Sequence, residues 1–504
     1  RSGGVAFTRM SFHTSAMTEP YLGRSLDRVE DERFLRGRGR FVADLAVQGA
    51  LHGVVVRSPH AHARISDIDV DAARRMPGVA AVFTGADLAA DGIGPLPCGV
   101  TSIAMAKPLV VPPCHALARE AVHYVGEPVV FVVAESVEAA RDAAEAVAIA
   151  YESLIPIVSL ADAVRPQNPV IWPEAPGNVA FVYDRGDMAP VQAAIRNAAH
   201  VAECELVNNR VVAASMETRG ALGEYDAASG RLHLTASAAG AHAIRDLLAD
   251  SVFHVPREKL RVSIPDVGGG FGMKNVLYPE WVLVLWVARR LKRPVQWIGE
   301  RNEEFLASVH GRDSLVRARL ALDADGKFLG IRVHTLASIG AYLSSDRNLL
   351  ATFVNVHTLT GVYSIPAGFV HVDCVFTNNP ATAPYRGAGR PESIYIIERL
   401  IDDAAREFGF DPIELRKKNM LPASVMPYKN PFNITYDCGE FPEIQSEALK
   451  LADAPGFAAR RESSKARGKL RGIGVANAIE RSASAGQPEF VELRFNPSGG
   501  VTLL

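Results

Sequence analysis

The sequence has few cysteines, five in 504 residues, and no two of them stand in a Cys-x-x-Cys arrangement. Cys98, Cys114, Cys204, Cys374 and Cys438 are odd in number and far apart, which argues against a zinc ribbon or a cysteine-ligated iron–sulfur cluster carried by this chain. Reduced thiols of a cytoplasmic protein fit this usage better than a disulfide scaffold. An excess of one charge is also missing. The formal net charge is −2, from 54 basic and 56 acidic residues, without acidic or basic tails. That balance gives neither nucleic acid nor an anionic membrane an electrostatic reason to be the main partner. Long apolar runs are absent too. The most apolar one, Trp281-Val-Leu-Val-Leu-Trp-Val-Ala288, is too short to span a bilayer and reads as a buried helix. The segment before Met17 lacks a continuous apolar core, so it does not read as a secretory signal; Met10 or Met17 is the expected start.

What is present is a globular composition, 48% hydrophobic, at a length that favours roughly three domains. Leu51-His-Gly-Val-Val-Val-Arg57, Val79-Ala-Ala-Val-Phe-Thr84 and Pro128-Val-Val-Phe-Val-Val-Ala134 read as strands, the last buried on both faces. Ser136 caps an Ala-rich helix, which makes an α/β unit that a Pro-rich stretch then closes. Further on, Arg231-Leu-His-Leu-Thr-Ala236 and Leu260-Arg-Val-Ser-Ile264 are expected strands, with a helix over 241–253 between them. Pro279 opens another helix. A helix beginning near Pro391 carries Ile394, Ile397, Ile401, Ala405 and Phe408 at helical spacing and stops at Gly409. In the last region Arg471-Gly-Ile-Gly-Val475, residues 489–495 and Val501-Thr-Leu-Leu504 read as strands, the last without a partner.

Two loops carry the chemistry. Three successive glycines at 268–270, then Phe271 and Gly272, remove every side chain that would hold a ligand off the backbone and permit positive φ, so that amides can converge on an anion. Met273 and Lys274 follow where a phosphate loop would have Gly-Lys-Ser/Thr, and the dinucleotide fingerprint spacing is absent. By itself the segment serves equally as a tight strand-to-helix turn. The second loop is Pro384-Tyr-Arg-Gly-Ala-Gly-Arg-Pro-Glu392. Gly387 and Gly389 expose amides, Pro391 opens a helix, and Arg386 and Arg390 add charge, all of which suits an anionic group. A capped loop with its arginines paired to surface carboxylates explains the same residues.

Asp266-Val-Gly-Gly-Gly-Phe-Gly-Met-Lys274 together with Tyr385-Arg-Gly-Ala-Gly-Arg390 resembles the molybdenum-cofactor-binding large subunit of the xanthine oxidase family. The subgroup is the one resembling the large chain of aerobic carbon monoxide dehydrogenase. Supporting stretches are Arg57-Ser-Pro-His-Ala-His-Ala-Arg64, Tyr124-Val-Gly-Glu-Pro128 and Asp411-Pro-Ile-Glu-Leu-Arg416, and the likeness covers the chain from Tyr21 onward. The resemblance implies an α/β (α+β) fold. After a leader and lead-in over 1–37, an α/β hammerhead domain is expected at 38–153 and a first molybdopterin-binding domain at 160–428. A second such domain would start at 450–504 and be incomplete, the chain resembling a C-terminally truncated large subunit. It implies a molybdenum–molybdopterin cofactor in the cytosine dinucleotide form. Gly269, Gly270, Phe271 and Gly272 would lie against it on one side, and Arg386, Gly387 and Ala388 on another, with no direct side-chain ligand to the metal. The implied reaction is hydroxylation of an aldehyde or N-heterocycle with oxygen from water. Electrons would leave to iron–sulfur clusters and FAD on a small and a medium partner subunit, in a cytoplasmic dimer of heterotrimers.

The sequence departs from the family at several positions. Ala239 stands where a glutamine often donates to a metal oxygen, and Gly387 where carbon monoxide dehydrogenases have a copper-binding cysteine, which excludes carbon monoxide as substrate. Ala388 and Asn275 stand where purine-oxidising relatives have phenylalanine and glutamate, which argues against xanthine; both remain substrate-pocket candidates. Glu217, in Met216-Glu-Thr-Arg-Gly220, is a third, though a structural carboxylate paired to Arg219 accounts for it as well. His60 and His62 are too few to read as a metal site. The family's catalytic glutamate is expected beyond Leu504, so no catalytic residue is assigned in this chain. The alternatives are an inactive remnant that keeps only subunit-docking surfaces and, more weakly, a nucleotide-binding dehydrogenase.

Overall fold

The computed structural model of the chain describes residues 23–98, 109–343, 353–480 and 491–503, so the leader with Met10 and Met17, together with Tyr21, Glu489 and Leu504, lies outside the described residues. The main strands are β1 Leu51–Arg57, β2 Ala63–Asp69, β3 Val79–Thr84, β4 Ala121–Val122, β5 Pro128–Ala134, β6 Ala148–Ser153, β7 Val179–Gly186 and β8 His200–Asn208. They continue with β9 Gly220–Asp226, β10 Arg231–Ala236, β11 Leu260–Ser263, β12 Val295–Ile298, β13 Ser314–Leu322, β14 Phe328–Gly340 and β15 Gly368–Phe376. This mixture of helix and strand is the expected α/β class.

One seven-stranded sheet has the order β11-β10-β9-β12-β1-β5-β3. It joins early and late chain, because β1 pairs in parallel with β12 at Leu51↔Val295 and His52↔Gln296. On its other edge β1 runs antiparallel to β5, which is buried along its whole length. The early α/β unit is therefore continuous with the strands that lead to the glycine loop. The helix Pro279–Leu291 packs on this sheet with Glu280 through Ala288 all buried, as a helix apolar on every side must. It approaches β9 closely: a Cβ on Gly223 would lie 2.4 Å from the Val284 backbone.

A five-stranded sheet, β7-β15-β14-β13-β8, forms the second layer. The helix Arg390–Phe408 shares its core, with Ile396, Ile397, Leu400, Ile401 and Ala404 buried among Val316, Leu320 and Phe328. β4-β2-β6 is a small third sheet. No helix among the described residues is long and apolar enough to cross a membrane.

Three sequence expectations need correction. The helix over 241–253 is α-helical only over Ala241–Leu247 and winds wider over Leu248–Phe253. Residues 471–475 form no strand, since their exposed backbone meets no sheet edge. The final strand does have a partner: Val501–Leu503 pairs antiparallel with Leu493–Phe495 in an exposed hairpin closed by an Asn-Pro-Ser-Gly-Gly turn.

Candidate functional site

Strand β11 leads to the glycine loop, and its approach is clamped. Asp266 receives both guanidinium arms of Arg33 and the Arg40 amide at 2.7 Å. Those hydrogen bonds, Arg33 first, hold its carboxyl down to about 2. In the loop Gly269 and Gly272 have φ of +96° and +101°, and Phe271 itself sits at +49°. A non-glycine residue in that region carries strain of order 1–3 kcal/mol, and Phe271 is also 46% exposed.

The loop is pinned from beneath. Glu217 Oε2 accepts from the Gly268 amide and from Lys274 Nζ, each at 2.8 Å. Lys274 is fully buried and also donates to the Glu217 carbonyl at 3.0 Å. Burial lowers the Lys274 pKa, and the Glu217 contact partly restores it. Glu217 Oε1 is buried with no hydrogen-bond partner among the described residues. The expected Glu217–Arg219 pair does not form. Arg219 turns into the interior instead, to Glu280 at 2.9 Å and Glu304 at 2.8 Å, with its guanidinium 3.9 Å from the Tyr278 ring centroid. Two fully buried carboxylates attract it more strongly than one beside a lysine can. Arg57 completes this network from β1, reaching Glu280 and Glu303 at 2.5 Å.

The arginine loop faces the glycine loop. A Cβ on Gly272 would lie 2.3 Å from the Pro384 carbonyl oxygen, so the two backbones meet only because that position has no side chain. Arg386 is exposed, with its guanidinium 6.0 Å from the Phe271 ring centroid, the outer limit of a cation–π contact. Ala388 has φ of +48°, and Gly389 at +89° precedes the helix Arg390–Phe408. Arg312 supports the loop by donating to the Arg386 carbonyl at 3.1 Å and pairing with Glu392 at 2.7 Å. Arg390 pairs with Glu480, as the capped-loop reading of the sequence has it.

The structure thus brings together Gly269, Gly270, Phe271, Gly272, Glu217, Arg386, Gly387 and Ala388. Asn275 closes the turn after the loop, its amide donating to the Gly272 carbonyl at 3.2 Å, and the Ala239 amide donates to the Lys274 carbonyl at 3.0 Å. His60 and His62 lie just before β2, in ring contact with Tyr151 and His123 respectively. Three supporting residues have roles the sequence does not reveal: Lys274 as the partner of Glu217, Arg219 as the partner of Glu280 and Glu304, and Arg312 as the prop of the arginine loop. The one local signal is that Lys274 and Arg219 lie within the glycine-loop and Glu217 motifs.

These residues fit a large anionic, planar cofactor. Among the described residues, none accepts a hydrogen bond from the amides of Gly269, Gly270, Phe271 or Gly272. The Phe271 ring of the same loop is exposed, and the Arg386 guanidinium lies 6.0 Å from its centroid.

Comparison with known proteins agrees. Residues 36–155 match the "aldehyde oxidase and xanthine dehydrogenase, a/b hammerhead domain", and residues 171–420 match the "molybdopterin cofactor-binding domain". The chain is 35% identical to the nicotine 6-hydroxylase large subunit of Paenarthrobacter nicotinovorans over 94% of its own length and 57% of that protein. It is 31% identical to the carbon monoxide dehydrogenase large chain of Hydrogenophaga pseudoflava, over 94% and 61%. The crystal structure of quinoline 2-oxidoreductase from Pseudomonas putida 86 superposes with a TM-score of 0.87 at 33% identity, over 95% of this chain and 62% of that one. The chain therefore spans about six-tenths of the length of these relatives.

Proposed function

This chain belongs to the xanthine oxidase family of molybdopterin-binding large subunits, and we propose that it supplies two walls of the active site of a molybdenum hydroxylase. The observation that carries the proposal is the contact of the glycine loop with the arginine loop at Gly272 and Pro384, which brings Arg386 within 6.0 Å of the Phe271 ring in a loop whose amides are unengaged among the described residues. When bound, a molybdenum–molybdopterin group supplies two-electron oxidation of a carbon centre with oxygen taken from water. This chain's residues position that group. The amides of 269–272 would bind its oxygens, and Phe271 would wall the site against water. Arg386 offers fixed positive charge, while Glu217 and Lys274 hold the loop in register. Ala388 and Asn275, short side chains beside the loops, leave room for the substrate.

The substrate is an aldehyde or an N-heterocycle. The heterocycle has the more support, because two similar proteins are named for nicotine and quinoline. Carbon monoxide is disfavoured: a Cβ at Gly387 would lie 2.3 Å from Pro391 Cγ, so a copper-binding cysteine does not fit this backbone. The cytosine dinucleotide form of the cofactor and cytoplasmic location complete the reading. So does a dimer of heterotrimers with small iron–sulfur and medium FAD subunits; one relative is named as a complex subunit.

The test is elemental analysis of the purified complex combined with oxidation of quinoline-type and aldehyde substrates by an artificial electron acceptor. Stoichiometric molybdenum and turnover of either class are expected. A complex that contains no molybdenum when expressed in a molybdopterin-competent host contradicts the reading.

A further inference from the structure

On the five-stranded sheet, a second polar cluster takes no part in the two loops. Asp184 on β7 faces His371 on β15, and His371 faces His334 on β14, in one row across three strands. Asp373 lies two residues beyond His371 and so on the same face. His334 Nε2 is 2.9 Å from Asp373 Oδ2, and His371 Nε2 is 3.3 Å from Asp373 Oδ1. One ligand atom from each of these three residues falls within 4.8 Å of the others. On the far side of the same ring, His371 Nδ1 is 2.6 Å from Asp184 Oδ1.

Carboxylates only accept, so His371 satisfies both aspartates either as an imidazolium with two N–H donors or, when neutral, by donating Nδ1–H to Asp184 while Nε2 binds a cation beside Asp373. We propose that His334 Nε2, His371 Nε2 and the Asp373 carboxylate form a site for a divalent transition cation of the zinc type, with Asp184 as the positioning residue that orients His371. Two nitrogens and a carboxylate suit zinc, nickel or copper and are poor for magnesium or calcium. Three protein ligands leave a fourth position for water. His334 also lines an open cleft that gives the ion a way in, and the nearby Arg317 is paired to Glu205 at 2.8 Å. The site is independent of the molybdenum reading.

The experiment is equilibrium dialysis of the purified protein against Zn²⁺ after chelator treatment, with Co²⁺ absorption as the signature of coordination geometry. Wild type is expected to hold one Zn²⁺ per chain that His334→Gln with His371→Gln abolishes, while molybdenum content stays the same. Asp184→Asn, which keeps all three ligands, is expected to weaken binding about tenfold or more. No saturable Zn²⁺, or one Zn²⁺ retained in the double variant, overturns the proposal. If the double variant fails to fold, Asp184→Asn decides: unchanged affinity overturns the orienting role and the ligand set built on it.

Discussion

The two facing loops reach similar exposed positions by different means. The glycine loop is held from below by a fully buried lysine against a carboxylate, with its aromatic tip forced into positive φ. The arginine loop rests on a second, largely buried pair, Arg312 with Glu392, on a hydrogen bond from Arg312 to the Arg386 carbonyl, and on the start of a 19-residue helix. The first depends on one buried charge pair whose partners lose most if separated. The second spreads its support over a helix N-terminus, a salt bridge and the hydrogen bond from Arg312 to the Arg386 carbonyl. The difference implies that the glycine loop is the rigid reference and the arginine loop the tolerant partner.

The largest effect belongs to the buried pair. Lys274→Met leaves the Glu217 carboxylate with only the Gly268 amide, a loss of about 3–5 kcal/mol, read by chemical denaturation and accompanied by loss of molybdenum. Gly272→Ala comes next. It places a methyl against the Pro384 carbonyl at positive φ and is expected to cost about 2–3 kcal/mol, separating the loops and lowering metal content while secondary structure by circular dichroism is kept. Arg312→Lys keeps a charge against Glu392 but loses the hydrogen bond to the Arg386 carbonyl, and should cost about 1 kcal/mol, with metal retained. A loss as large as that of Lys274→Met would erase the contrast between the loops.

The smallest effect is a pH dependence. Asp266 is depressed to about 2 by Arg33, so its contribution is complete above the ordinary carboxylate value near 4 and is lost as pH falls toward 2. Proteolytic protection of the helix Asp31–Leu35, which carries Arg33, should fade in that window, whereas Asp266→Asn should remove it at neutral pH.

Much of the fold was legible because its signals are local. β1, β3 and β5 alternate or run apolar between turns, Ser136 and Gly409 cap their helices, and the two glycine-bearing loops stand out by composition. What escaped depends on contacts remote in sequence. Glu217 and Lys274 are 57 residues apart and Arg219 and Glu304 are 85 apart, so nothing near Glu217 indicates which cation it takes. The parallel pairing of β1 with β12 rests on two residues at each end of a long connection, with no periodicity to announce it. Residues 471–475 have strand composition but no edge to join, and composition cannot report a missing neighbour.

The central claim is that the glycine and arginine loops are opposite walls of one molybdenum site. Anomalous diffraction at the molybdenum edge from crystals of the assembled, cofactor-loaded complex measures this directly. The expected result is a single peak per chain beside Phe271 and Arg386, against the amides of 269–272. A peak that contacts neither loop, in a complex that turns over substrate, would contradict the account.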